Sequence, residues 1–273
     1  MKRWCSIVLL LLMSSLAAQE SQPSSPAASP AQEKKGWTLQ EAEQALRQLI
    51  DDPTYPLRYA GFDEALKKHE FKGRGLDSFI VDLEGGYIWH ADFESRRDRR
   101  RYQIGHPLFN KVLVKKEEAF QKALRIARKN FPSFEQFNMV LISDGDSPFQ
   151  FHWWAQDQKS EVFLPVEVTV YIDQLNGNLT GFYGLRGEFR LRDPWTLTQE
   201  EAVALARQVD ERFREAKVRV RKYTTKHGIT GRYLDLWEVE VLLYKQWNGQ
   251  EYGPVVLVDD ELKKVYMVLT PLG

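Results

Sequence analysis

The chain has 273 residues, with 38 Lys and Arg against 38 Asp and Glu, 43% apolar side chains, 12 prolines and one cysteine. That length and apolar content suffice for one or two buried cores, so a wholly disordered chain or a disulfide-stapled miniprotein is excluded. A formal charge of zero provides no overall field to hold a polyanion, which disfavours a dedicated nucleic-acid binder while leaving room for a local basic patch.

Residues 1–18 read as a cleavable signal peptide. Lys2 and Arg3 precede the apolar run Ile7 to Met13 and the small-residue stretch Ser14-Ser15-Leu16-Ala17-Ala18, with cleavage expected after Ala17 or Ala18. Seven apolar residues fall well short of the roughly 20 that span a bilayer, so no transmembrane segment is expected after signal cleavage, and the mature chain is expected to be secreted or periplasmic. Cys5 lies within this leader, which leaves the mature chain without a disulfide, a thiolate nucleophile or a cysteine zinc site. Residues 19–36 are Pro, Ser, Ala and Gln without a large apolar side chain, and read as a disordered linker.

Three segments then begin alike. Thr38-Leu39-Gln40-Glu41-Ala42, Lys115-Lys116-Glu117-Glu118-Ala119 and Thr198-Gln199-Glu200-Glu201-Ala202 each set Glu-Ala three residues after a start position. Thr followed by Glu at the third place is a capping box, in which each side chain satisfies a backbone N–H orphaned at a helix start; Lys115 breaks the pattern in the middle copy. Apolar spacing continues helically through Ala119, Ala123, Ile126 and Ala127, and through Ala202, Ala206, Val209 and Phe213. The segments also end alike, at Val81-Asp82 to Gly86, Ile172-Asp173 to Gly177, and Val258-Asp259 to Lys263, where Asp opens a turn and Gly supplies a left-handed residue. Helix Ala and turn Asp are separated by 40, 54 and 57 residues. The first unit is therefore expected to lack about one hairpin and to carry instead a helix over Phe62 to His69. This divides the chain into a degenerate N-terminal unit at 37–107 and two fuller units at 108–192 and 193–273.

Between helix and turn the period changes to two. Val162, Leu164, Val166, Val168, Val170 and Ile172 face one way; Trp237, Val239, Val241 and Leu243 repeat this, Phe149, Phe151 and Trp153 form a third set, and Asn248-Gly249 marks a hairpin. A helix covering one face of antiparallel strands predicts an α+β fold in tandem repeats, each helix on its own sheet.

The T-x-x-E-A helix start, the Trp or Val alternation and the closing Asp-turn hairpin resemble the PepSY domain, including the tandem copies of secreted bacterial envelope proteins. The second and third units carry the match, about 160 residues together; Lys115 and Lys263 depart from it. The resemblance implies a small helix-on-sheet fold, an extracytoplasmic location, no catalytic residues, and a role in restraining or assisting peptidases, by similarity to the propeptides of thermolysin-like enzymes.

No local pattern points to catalysis. The five histidines, His69, His90, His106, His152 and His227, show no three- to five-residue spacing for joint metal binding, and neither a G-x-S-x-G elbow nor a phosphate loop is present. No catalytic residue, metal site or cofactor is assigned, although a triad assembled from distant positions stays open. Asp144-Gly145-Asp146-Ser147 has the carboxylate spacing of a calcium loop without its distal acid, and reads better as a turn. Arg96, Arg97, Arg99, Arg100 and Arg101 form the densest charge in the chain; they grip an anionic polymer, phospholipid or acidic partner, or else form a solvated connector. Alternation sends Trp153 inward and leaves Trp154 as the more exposed candidate for stacking on a ligand. The expected function is a secreted, non-catalytic module that binds a protein or an envelope polymer, possible peptidase modulation being implied by the resemblance. A secreted hydrolase assembled across units and a structural accessory subunit are the alternatives.

Overall fold

Three helices start where the Glu-Ala motifs stand. In the computed structural model, which describes residues 36–108, 111–146, 148–192, 194–228, 230–245 and 251–270, these are α1 (Leu39–Ile50), α2 (Lys116–Asn130) and α3 (Gln199–Arg207). The leader, nearly all of the linker and the Asn248-Gly249 turn lie outside the described residues. Thr38 and Thr198 close full capping boxes with Glu41 and Glu201, while Lys115 at the start of α2 makes no side-chain cap. Ala119, Ala123 and Ala127 are buried along α2, and Ala202 and Ala206 along α3. The α3 stripe is shorter than its spacing suggests. The helix stops at Arg207, Val209 is 40% exposed, and Phe213 reaches the core from a 3-10 turn at Glu211–Phe213 instead.

Antiparallel strands follow each helix, four after α1, four after α2 and six after α3. After α1 come β1 (Arg58–Asp63), β2 (Lys68–Lys72), β3 (Ser78–Asp82) and β4 (Tyr87–Asp92); after α2 come β5 (Met139–Asp146), β6 (Phe149–Gln156), β7 (Val162–Ile172) and β8 (Leu179–Arg186). After α3 come β9 (Lys217–Lys226), β10 (Tyr233–Leu242), the short pair β11 (Tyr244–Lys245) and β12 (Glu251–Tyr252), then β13 (Val255–Asp259) and β14 (Lys264–Leu269). The helix expected over Phe62 to His69 is instead the hairpin between β1 and β2. The Asp63 carboxylate accepts the Ala65 and Leu66 N–H groups at 2.9 Å, and Lys67 turns the chain at a φ of 54°, so local side-chain bonding overrides the apolar spacing. The first unit thus has four strands, all of them short.

The strands do not form separate sheets, as the repeat pattern suggested. They join in one twelve-stranded mixed sheet: β4 pairs with β8 antiparallel, and β7 pairs with β9 in parallel at Val162↔Lys222 and Phe163↔Tyr223. Each junction covers backbone N–H and C=O groups that an isolated meander would leave open at its edge. Phe163 also faces Gln156 of β6, so β9 lies on the same side of β7 as β8 and beyond its end.

The closing hairpins share three details. Asp82, Asp173 and Asp259 each accept a backbone N–H within their own turn, from Gly85, Leu175 and Leu262, all at 2.8 Å. Gly86, Gly177 and Lys263 follow at φ values of 66°, 68° and 49°. A register shift falls just ahead of each Asp, between Ile80/Val81, Tyr171/Ile172 and Leu257/Val258. The residue after each Asp then holds the chain ahead of a helix: the Leu83 carbonyl accepts Trp37 N–H, the Gln174 carbonyl accepts Leu113 and Val114 N–H, and the Asp260 carboxylate accepts Thr196 and Leu197 N–H.

Two apolar cores lie under the helices. Leu46 and Ile50 of α1 and Ala123 and Ala127 of α2 share one core with Phe79, Phe151, Val168 and Phe182 of the strands. Under α3, Ala202 and Ala206 pack with Trp237, Val239, Val256 and Val258.

Candidate binding face

Alternation puts Phe149, Phe151, Trp153, Val168, Val170 and Phe182 in the α1 and α2 core, so their neighbours along the strands face away from the helices. The register aligns these outward residues in rows. His90 of β4 faces Tyr183 of β8, Tyr183 faces Thr169 of β7, and Thr169 faces His152 of β6. The next row is Asp92, Gly181, Tyr171 and Gln150, with the Tyr171 ring so close over Gly181 that a Cβ there would lie 2.8 Å from it. Trp89, in the register shift of β4, stands edge-on to Tyr183 with ring centres 5.9 Å apart.

One corner of this face is tightly paired. The His152 Nε2 lies 2.8 Å from the Glu167 carboxylate, and the His152 ring lies parallel to that of Trp154. Trp154 donates its indole N–H to the Leu164 carbonyl and contacts Phe163 and Tyr223 at ring-centre distances of 5.0 and 5.1 Å. Burial pushes the Tyr223 hydroxyl up to about 12. Burial first, then the Glu167 charge, raises Tyr183. Burial also lowers His90 and raises Asp92, the latter shift opposed by Arg97. Each shift favours the neutral form, so the face presents phenol, imidazole and indole groups as hydrogen-bonding and stacking surfaces.

The arginines named from the sequence lie at the end of this face, in two 3-10 turns at Glu94–Arg96 and Arg99–Tyr102 and, for Arg97, between them. Arg96 is half-buried, donates to the Ile50 carbonyl at the end of α1 and lies 4.4 Å from the Phe93 ring centre. Arg97 pairs with Asp92 and Glu94, Arg99 with Glu94, and Arg100 with Asp98. The side chain of Arg101 lies outside the described residues. Trp154 is half-buried on the rim where β7 meets β9, and it is the one named residue on the helix-free face. Asp144 belongs to the end of β5 rather than to a free turn, and pairs with Lys116 at 3.0 Å.

Among the described residues no three His, Cys, Asp or Glu side chains converge as a metal site. His90 and His152 are three strand spacings apart, roughly 14 Å at about 4.8 Å each, too far to share an ion. A shallow depression of about 370 Å³ at the end of α3, lined by Arg207, Val209, Asp210, Glu211 and Arg214, holds none of the aromatic rows. Sequence reading reached Trp154 by strand alternation but missed the His90–Tyr183–Thr169–His152 row, because only strand register unites residues so distant in the chain.

No protein-family model and no curated protein sequence matches the chain. Among solved structures, the Bacillus megaterium YpeB C-terminal domain is similar, with a TM-score of 0.51 over 88% of this chain and 100% of that domain, at 13% identity. The likeness is one of fold. It supports the α+β architecture of helices on a sheet. No helix among the described residues is long and apolar enough to cross a membrane.

Proposed function

We propose that the chain is a non-catalytic, extracytoplasmic binding protein made of three copies of one helix-plus-meander unit, and that its helix-free sheet face holds an extended protein segment or envelope polymer. The observation that carries this reading is the row from His90 to His152, in which partly exposed His90, Tyr183 and His152 flank the buried Thr169 in register across four strands. A row that runs across four strands suits a chain-like ligand better than a small substrate that must be surrounded. The shared Asp turn, positive φ, register shift and pre-helix tie support the repeat reading. Modulation of a peptidase is one form such binding takes, and it rests on the PepSY resemblance alone. A photo-crosslinking residue at Gln150, on the face, is expected to capture a ligand in the native envelope, whereas one at the exposed Glu200 of α3 is not. Equal capture at both positions would count against the face. Turnover of a peptide, ester or glycoside by the purified chain, abolished by one substitution, would overturn the non-catalytic reading.

A further inference from the structure

The connector between β4 and α2 is a loop whose two ends are tied to adjacent residues. Asp98 N–H donates to the Asp173 carboxylate at 3.2 Å, and Leu113 N–H donates to the Gln174 carbonyl at 2.9 Å, so the chain leaves and returns at a single turn. Such closed loops are compact surface features that often carry function. This one is folded internally, by Gln103 N–H on the Arg100 carbonyl, His106 N–H on the Gln103 carbonyl and Lys111 N–H on the Leu108 carbonyl.

Its surface combines exposed aliphatic side chains with cations. Ile104 is 80% exposed, Leu113 60% and Val112 53%. Between residues 98 and 113 four Lys and Arg stand against the single carboxylate of Asp98, although the whole chain is neutral. Arg99 and Arg100 keep 67% and 59% of their side-chain surface while pairing with Glu94 and Asp98, and Lys111 has no ion pair among the described residues. Exposed aliphatic side chains interleaved with cations are what an anionic lipid interface receives: the aliphatic groups enter the headgroup boundary and the cations meet phosphates. We favour a lipid interface over an acidic protein because the aliphatic side chains at Ile104 and at Val112-Leu113 stand beside the cations, with no apolar groove to seat a protein segment among the described residues of the loop.

We propose that the loop of residues 98–108 and 111–113 docks the folded chain on an anionic phospholipid surface, with Ile104, Val112 and Leu113 entering the interface and Arg99, Arg100 and Lys111 contacting lipid phosphates. This contact is separate from the sheet face, so either reading can fail alone. The test uses residues 19–273, which omit the apolar stretch 7–13, and co-sedimentation with vesicles of phosphatidylcholine either pure or containing phosphatidylglycerol. The chain is expected to sediment only with the phosphatidylglycerol vesicles, and less so as salt is raised. The I104S/L113S double variant is expected to bind about tenfold more weakly, and each of R99Q, R100Q and K111Q about fivefold, all with unchanged circular dichroism. A Gln150→Ala control on the sheet face is expected to bind vesicles as the parent does. Failure of the parent to sediment with phosphatidylglycerol vesicles would overturn the proposal, as would equal sedimentation of folded I104S/L113S, or capture of an acidic protein through this loop without vesicle binding.

Discussion

The Leu197 N–H donates to the Asp260 carboxylate at 2.8 Å, which holds the residue before the α3 cap against the turn that closes the same set of strands. Thr196 N–H and the Trp237 indole N–H donate to the same side chain, which is fully buried. Removing it strands three donors. Asp260→Ala is expected to cost about 3 kcal/mol, and Asp260→Asn about half of that, because an amide has a single acceptor oxygen. Urea unfolding checks both, and an Ala variant as stable as the parent would remove the tie from any energetic account.

Lys263 occupies the left-handed position that Gly86 and Gly177 fill in the other two hairpins. A side chain there costs energy that glycine avoids. Lys263→Gly is therefore expected to stabilise by up to about 1 kcal/mol, and Gly177→Ala to destabilise by about as much. Thermal melts of the two variants should move in opposite directions.

The α2 helix begins without a side-chain cap, although Glu118 stands where a capping box needs it. Lys115→Thr completes the box and is expected to add about 1 kcal/mol, matching the loss expected from Thr198→Ala at α3. A Lys115→Thr melt no higher than the parent's would mean that the Lys115–Glu118 contact already serves the same purpose.

His90 titrates below its ordinary 6.5 in the folded chain because it is buried, with Asp92 pulling the other way. Between that lowered value and 6.5 the unfolded chain binds the extra proton, so stability present above pH 6.5 is lost as the pH falls through the folded pKa. Asp92 acts oppositely: burial raises it above 3.8, so its contribution to stability falls as the pH rises through that higher window. The Arg97 guanidinium and the Tyr183 and Trp89 rings face the same pair. His90→Gln is expected to flatten the acid side of the stability profile just below pH 6.5, measured by urea midpoints across the range. An unchanged profile would place the acid sensitivity elsewhere.

The motifs of the sequence were legible where a single side chain decides local geometry. Thr38 and Thr198 cap their helices, and Asp82, Asp173 and Asp259 open their turns, because each bonds backbone within a few residues of itself. Phe62 to His69 misled because its apolar spacing fits a helix while Asp63 and Lys67 build a turn. The joining of the three strand sets depends on which edges meet, and nothing within Val162-Phe163 or Lys222-Tyr223 announces a parallel partner sixty residues away. The sheet face was hidden for the same reason: Trp154 follows from alternation within one strand, His90 beside Tyr183 does not.

Among the described residues two backbone pairs, Val162↔Lys222 and Phe163↔Tyr223, form the parallel junction between β7 and β9, helped by Thr224 on the Arg190 carbonyl and Lys226 on Glu188, while an apolar core lies on either side of it. With so short a backbone seam, the α3 strands are expected to separate as one body on heating, and Trp154, packed against Phe163 and Tyr223 across that line, is expected to change its fluorescence before the α1 and α2 core unfolds.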